Sequence, residues 1–105
     1  MPKFVYAYVG GGGMPETEEE QQAVMNSWMN WMGGLGDAML DPGNPFGASM
    51  VVTSDGSVRE GGSLSLGGYS IVDAADLTTA AEMAKGCPVL QGGGSVEVYE
   101  TVDVM

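Results

Sequence analysis

The first strand-forming segment, Lys3–Val9, is apolar on both faces, and this feature constrains the fold more than any other. Its two sets of alternating side chains are Phe4, Tyr6 and Tyr8 on one face and Val5, Ala7 and Val9 on the other. Aromatic and β-branched residues favour strands, and successive side chains point to opposite faces. We therefore expect a central strand whose sheet is covered on both sides.

After a run of glycines, residues 16–34 have the pattern of an amphipathic helix. Thr17 is predicted to cap it, with Glu20 three residues later completing a capping box. Apolar side chains recur at helical spacing and are expected to face the core: Val24, Trp28, Trp31 and Leu35. The neighbouring stripe of Met25, Met29 and Met32 is expected to be core filler, an adaptable pocket wall or a dimer contact.

The rest of the chain predicts further strands over residues 37–40, 50–53, 64–72 and 95–102, with a hairpin turn over 54–57. Gly67 and Gly68 suggest a bulge or a close backbone approach. A second helix is expected from an Asp76 cap to about Lys85, ended by Gly86 as a C′ residue.

This order is βαββαβ, which predicts an α+β, ferredoxin-like fold with two helices on one face of an antiparallel sheet. The 105 residues are expected to form a single domain. The other sheet face is apolar and has no helix to cover it. A second copy of the chain is the simplest cover, so we expect a homodimer.

Fourteen acidic residues against three basic ones give a formal net charge of −11. Nucleic-acid binding needs a basic surface, and so does attraction to anionic membrane, so neither partner is expected. The single cysteine and the absence of a recognisable signal segment suggest a cytoplasmic protein.

The chain contains no histidine. Ser-His and Cys-His nucleophile systems, and histidine-based zinc sites, are therefore not available within it. Cys87 follows the second helix at its negative C-terminal end and is expected to be an inert thiol. We expect no cofactor and no metal.

Three segments resemble the YCII-related family, including its DGPF subgroup. They are Gly36-Asp-Ala-Met-Leu-Asp-Pro-Gly43, Leu66-Gly-Gly-Tyr-Ser-Ile-Val-Asp-Ala-Ala-Asp-Leu77 and Pro88-Val-Leu-Gln-Gly-Gly-Gly-Ser-Val-Glu-Val98. The resemblance implies a dimeric ferredoxin-like α+β barrel, that is, a dimeric α/β barrel. It also implies a pocket between helices and sheet, near the strand ends.

The chain departs from this family at its suggested acid–base pair. The Asp-Gly-Pro-Phe motif is absent, and the matching region is shortened to residues 59–66. The family's helix histidine would fall near Met25, and the position of its aspartate is occupied by Cys87. The pair that the resemblance implies therefore has no counterpart here.

Two sets of residues are candidates for a site. Asp37 and Asp41 flank a predicted strand, and either could act as a general base if it were buried; the alternative is a solvated loop carboxylate. Aromatic side chains of the first strand, the long helix and the strand predicted over residues 64–72 are candidates for an apolar ligand pocket, although packing is the ordinary role: Tyr6, Trp28, Trp31 and Tyr69.

Three functions follow from these candidates. The first is a homodimer that binds a small molecule in the cleft between helices and sheet, without the acid–base chemistry suspected for the family. The second is a small lyase, isomerase or hydrolase that uses a carboxylate base. The third is a structural or partner-binding dimer. Sequence alone leaves open whether the protein is an enzyme.

Overall fold

A computed structural model describes residues 2–10, 16–61 and 66–104. Its helices and strands, in chain order, are β1 (Lys3–Val9), α1 (Glu18–Leu35), β2 (Met39–Asp41), β3 (Met50–Val52), β4 (Val58–Glu60), β5 (Leu66–Asp73), α2 (Leu77–Ala84) and β6 (Ser95–Glu100). Short 3-10 turns lie at Gly36–Ala38 and Pro88–Gly92. Within these ranges no helix is both long enough and apolar enough to cross a membrane.

The main sheet has four antiparallel strands in the order β2-β5-β1-β6. Strand β1 is central, as its two apolar faces predicted. The pair β3 and β4 forms a separate two-stranded sheet inserted between β2 and β5. Without that insertion, the element order and the strand order are those of a ferredoxin-like α+β fold, which confirms the predicted fold class.

The core lies on one side of the sheet only, between the strands and the two helices. Its buried apolar residues are Phe4, Tyr6, Tyr8, Val72, Ala74, Ala80, Ala84 and Cys87. Residues paired across antiparallel strands share a face, so the register places a second set on the other side. We call the apolar members of this second set the open face: Val5, Ala7, Val9, Tyr69, Ile71 and Tyr99. Lys3, Asp73 and Glu97 lie on the same side of the sheet.

Helix α1 begins as predicted, because the Thr17 hydroxyl oxygen accepts a hydrogen bond from the Glu20 amide at 3.2 Å. Trp28 and Trp31 point toward the core but are only partly buried. The expectation of methionine core filler is wrong for Met25 and Met29, which are 54% and 66% exposed. The two indole rings fill the space between helix and sheet, so the stripe beside them is held away from the core.

Helix α2 is capped by Asp76, whose carboxylate accepts from the Thr79 amide at 2.7 Å. Gly86 follows the C-cap residue Lys85 and is therefore the C′ residue, as predicted, but its φ is not positive. A Cβ at Gly86 would instead lie 3.1 Å from Trp31 Cδ1. Glycine is needed there because the Trp31 ring packs against the backbone.

The segment after β2 lies tightly along β5. A Cβ at Gly43, where φ is +71°, would meet the Tyr69 carbonyl oxygen at 1.8 Å. A Cβ at Gly68 would meet the Asn44 carbonyl oxygen at 3.0 Å, and β5 is bulged around Gly67, which confirms the predicted bulge and close approach. Both glycines therefore allow the chain to reach the root of the inserted hairpin.

Candidate functional site

Four aromatic side chains meet between α1 and the sheet, and we call them the aromatic cluster: Tyr6, Tyr8, Trp28 and Trp31. Trp28 approaches Tyr8 edge-on at 5.0 Å between ring centroids, and the two indoles meet edge-on at 5.8 Å. Tyr6 stacks on Trp31 at 6.0 Å. Edge-on and offset arrangements are the favourable ones for aromatic pairs, so the cluster is a stable packing unit.

Two polar atoms of the aromatic cluster are bound to α2. The Tyr6 hydroxyl donates to the Ala80 carbonyl oxygen at 2.5 Å, and Trp31 Nε1 donates to the Met83 carbonyl oxygen at 3.0 Å. A buried hydroxyl or indole N–H without a partner is costly, so these bonds make the burial of both rings favourable. They also fix α2 relative to β1 and α1.

A third polar atom of the aromatic cluster belongs to a hydrogen-bond chain. The Tyr8 hydroxyl donates to Ser70 Oγ at 2.7 Å, and Ser70 Oγ donates to the Pro42 carbonyl oxygen at 2.6 Å. Ser70 is fully buried. The chain joins β1, β5 and the loop after β2, and it uses both the donor and an acceptor site of the serine.

Trp28 differs from the other three members. Its indole nitrogen makes no hydrogen bond in the described part of the chain, and it is not among the buried unpaired atoms there. Trp28 is only partly buried. Its N–H is therefore the polar group of the cluster that is available to a molecule from solvent.

Burial controls the acid–base behaviour of the neighbouring groups. Loss of solvation, and secondarily the nearby Cys87 thiol, raises the pKa of Tyr6 to about 12. Burial also raises the pKa of Tyr8, against the opposing effect of its hydrogen bond with Ser70. Burial likewise raises the pKa of the Cys87 thiol to about 11. Burial and a raised pKa are what the prediction of an inert thiol requires of Cys87.

The structure separates Tyr69 from the other predicted pocket residues. Tyr69 pairs with Ala7 and lies on the open face, whereas Tyr6, Trp28 and Trp31 lie on the helix side of the sheet. Its ring stacks on Phe46 with centroids 5.8 Å apart. A single pocket therefore cannot contain all four predicted residues.

The two candidate carboxylates have different surroundings. Asp37 lies exposed in the 3-10 turn after α1. Asp41 ends β2 and is half-buried, and its Oδ1 accepts from the Gly43 amide at 2.8 Å. That hydrogen bond stabilises the tight turn that leads to the hairpin. The role of Asp41 in this turn is therefore structural.

Sequence patterns missed three polar residues. Tyr8 could have been found, because it shares the β1 face of Tyr6. Ser70 gave no signal, since a strand serine is ordinarily exposed. Asp73 has a buried Oδ1 with no hydrogen-bond partner among residues 2–10, 16–61 and 66–104.

Across the same ranges, no group of three or more acidic or cysteine side chains could hold a metal ion.

The family model described as "YCII-related domain" matches residues 11–104. The chain belongs to the YCII-related family. No curated protein matches it significantly. This YCII-related protein has no histidine, and the position that the resemblance assigns to the family's aspartate is the buried Cys87.

Proposed function

We propose that this YCII-related protein works as a homodimer that binds a small molecule beside Trp28 and performs no acid–base chemistry of its own. The observation that carries the proposal is the Trp28 indole N–H, which has no hydrogen-bond partner in the described part of the chain, whereas the other polar atoms of the aromatic cluster are bonded. A rigid ring with one unpaired donor is typical of a ligand-site wall.

The chemistry around Trp28 indicates the class of ligand. Met25 lies one helical turn before Trp28 and is 54% exposed, so it offers an adaptable apolar surface beside the ring. The net charge of −11 disfavours an anion. A neutral aromatic molecule that carries one hydrogen-bond acceptor for the Trp28 N–H fits these features.

The open face supports the homodimer. Val5, Ile71 and Tyr99 form one row across its three strands, and Tyr99 is 52% exposed. The helices cover only the other side of the sheet, so this apolar row faces solvent in a single copy. Pairing of two open faces about a twofold axis would remove both from water.

The ligand proposal is tested by a screen of neutral aromatic compounds, followed by tryptophan fluorescence and thermal unfolding. Bound compounds should raise Tm by mass action. Trp28→Phe keeps an aromatic ring but loses the donor, and one lost hydrogen bond should weaken binding about tenfold. Leu77→Ala, on the exposed side of α2, is the control and should bind normally. Equal binding by Trp28→Phe would contradict the proposal.

A second candidate is a structural or partner-binding dimer with no ligand. It is favoured by the complete internal bonding of Tyr6, Tyr8 and Trp31, which is what a packed core requires. This candidate predicts a dimer in solution and no compound that raises Tm. A carboxylate-based enzyme has no comparable support, because in the described part of the chain Asp37 is exposed and Asp41 is bound in a turn.

A further inference from the structure

Asp55 and Gly56, in the turn of the β3–β4 hairpin, are the only aspartate–glycine pair in the sequence. The other five aspartates precede alanine, proline, leucine or valine, and none of the three asparagines precedes glycine. An aspartate side chain can react with the next peptide nitrogen to close a five-membered succinimide ring. Glycine favours this reaction, because it has no Cβ to keep its nitrogen away from the carboxyl carbon. The sequence therefore predicts that Asp55 is the most reactive of the aspartates.

The turn presents this pair to water. Residues 54–57 are all exposed, and the hairpin forms a sheet of its own beside the four-stranded one. Water leaves when a succinimide ring closes and enters when the ring opens. Both steps can therefore take place on the surface of the folded protein, and no core packing has to break first.

Hydrogen bonds in the turn restrain both reacting groups. The Gly56 amide donates to the Thr53 carbonyl oxygen at 2.9 Å, and ring closure requires that nitrogen to lose its proton. Asp55 Oδ1 accepts from the Thr53 hydroxyl and from the Ser57 amide. Both of these hydrogen bonds favour the anionic carboxylate. Ring closure instead uses the neutral acid, whose hydroxyl group leaves as water.

Opening of the turn would remove both restraints. The bonds from Thr53, and then from Ser57, lower the pKa of Asp55 to about 2, so the neutral acid is rarer than at an ordinary aspartate. A turn that opens locally restores the ordinary pKa and releases the Gly56 N–H from its acceptor. The rate of ring closure should therefore follow the fraction of molecules in which this turn is open.

We propose that Asp55–Gly56 is the site of isoaspartate formation in this chain, and that the hydrogen bonds of the turn slow the reaction. The Gly56 nitrogen bonds to the Asp55 carboxyl carbon, and one water leaves. Water then adds to either carbonyl of the ring. Opening at the side-chain carbonyl restores aspartate, whereas opening at the backbone carbonyl leaves isoaspartate. One water is lost and one is gained, so the mass of the protein is unchanged.

Isoaspartate would alter the hairpin and spare the main sheet. The backbone would then run through the former side-chain carbon, which lengthens the turn by one methylene. Because turn geometry sets the register of a hairpin, pairing of β3 with β4 should weaken. The four-stranded sheet contains neither of these strands. The modification depends on neither the dimer nor the ligand proposed above.

Prolonged incubation of the purified protein at neutral pH tests the site. Isoaspartate is counted by methylation with an isoaspartyl methyltransferase and located by mass spectrometry of peptides. We expect it at residue 55, forming at least about tenfold faster in urea, where the turn is lost. Asp55→Glu should abolish the signal, because glutamate would have to close a slower six-membered ring. Isoaspartate mainly at another residue, or none at residue 55 in urea, would overturn the site.

A matched pair of valine variants tests the protection. Thr53→Val keeps the β-branched shape but loses the hydroxyl that bonds to Asp55, so isoaspartate should form about three to ten times faster. Thr78→Val removes an exposed hydroxyl from α2 and should leave the rate unchanged. Circular dichroism checks that both variants retain the main fold. Equal rates for Thr53→Val and the wild type, or for folded and urea-unfolded protein, would overturn the protective role of the turn.

Discussion

Single residues decide which side of β5 faces the core. Tyr69 and Ile71 alternate with Ser70 and Val72, and both sets contain an apolar member, so the pattern alone does not fix the inward side. Tyr8 decides it, because its hydroxyl supplies the partner that makes a buried Ser70 favourable. This long-range bond is why Tyr69 lies on the open face, whereas Tyr6, Trp28 and Trp31 lie together on the helix side of the sheet.

Ser70→Ala should destabilise the protein by about 1–3 kcal/mol, because it leaves the buried Tyr8 hydroxyl without its acceptor. The Pro42 carbonyl oxygen loses its donor in the same variant. Urea unfolding of Ser70→Ala, Tyr8→Phe and the double variant provides the measurement. The double variant should cost less than the sum of the singles, since both remove the same bond. Strict additivity would contradict the hydrogen-bond chain.

Stability should fall in alkali. The folded pKa of Tyr6 is raised from 10.0 to about 12, and that of Cys87 from 9.0 to about 11. A raised folded pKa contributes stability that is complete below the unfolded pKa and is lost as pH rises through the folded pKa. The free energy of unfolding should therefore decline from about pH 9 to about pH 12. Tyr6→Phe should flatten that decline, and an unaltered slope would contradict the assignment.

Among the helices and strands, α1 is the one whose start and inward face are easiest to predict from sequence. Its distance from the sheet is the hardest feature to predict. Thr17 and the helical spacing fixed its start and its inward face, because capping and periodicity are local. The exposure of Met25 and Met29 depends on how far the two indole rings hold the helix from the sheet. Local sequence contains no measure of that separation.

Two glycines give opposite expectations for substitution by alanine. Gly33 lies inside α1 with open space around its Cβ position, so Gly33→Ala should stabilise by about 0.5–1 kcal/mol. Gly86→Ala should destabilise, because its Cβ presses on Trp31 Cδ1 at 3.1 Å. Thermal unfolding of both variants checks the contrast. A stabilised Gly86→Ala would show that the Trp31 ring can move without loss.

The turn of the β3–β4 hairpin should open in acid. Hydrogen bonds from Thr53, and then from Ser57, lower the pKa of Asp55 to about 2. A depressed folded pKa contributes stability that is present above the unfolded pKa and is lost as pH falls through the folded pKa. Amide hydrogen exchange at Ser57 should therefore accelerate between about pH 4 and pH 2, after correction for intrinsic rates. Asp55→Asn should show faster exchange already at neutral pH, and normal protection would contradict the turn's dependence on the carboxylate.

At the scale of the whole molecule, the element order was enough to predict the ferredoxin-like sheet. Its strand order follows once two helices must cover one face. The element order could not predict that the β3–β4 hairpin forms a sheet of its own. Val51 and Val52 fit an edge strand of the main sheet as well as a separate pair, and only contacts distant in sequence decide between them.

Salt should strengthen the dimer. Each copy has a formal charge of −11, so two copies repel, whereas the proposed contacts of Val5 and Ile71 are apolar. Raising ionic strength from 0.01 to 1 M shortens the screening length from about 30 to about 3 Å. Repulsion then fades while apolar burial persists, so the dissociation constant measured by sedimentation should fall. The dissociation constant of Arg59→Gln should fall more steeply with salt, because this variant is more negative and its two copies repel more strongly. A dimer that dissociates at high salt would instead be held by ion pairs, and its interface would not be the apolar open face.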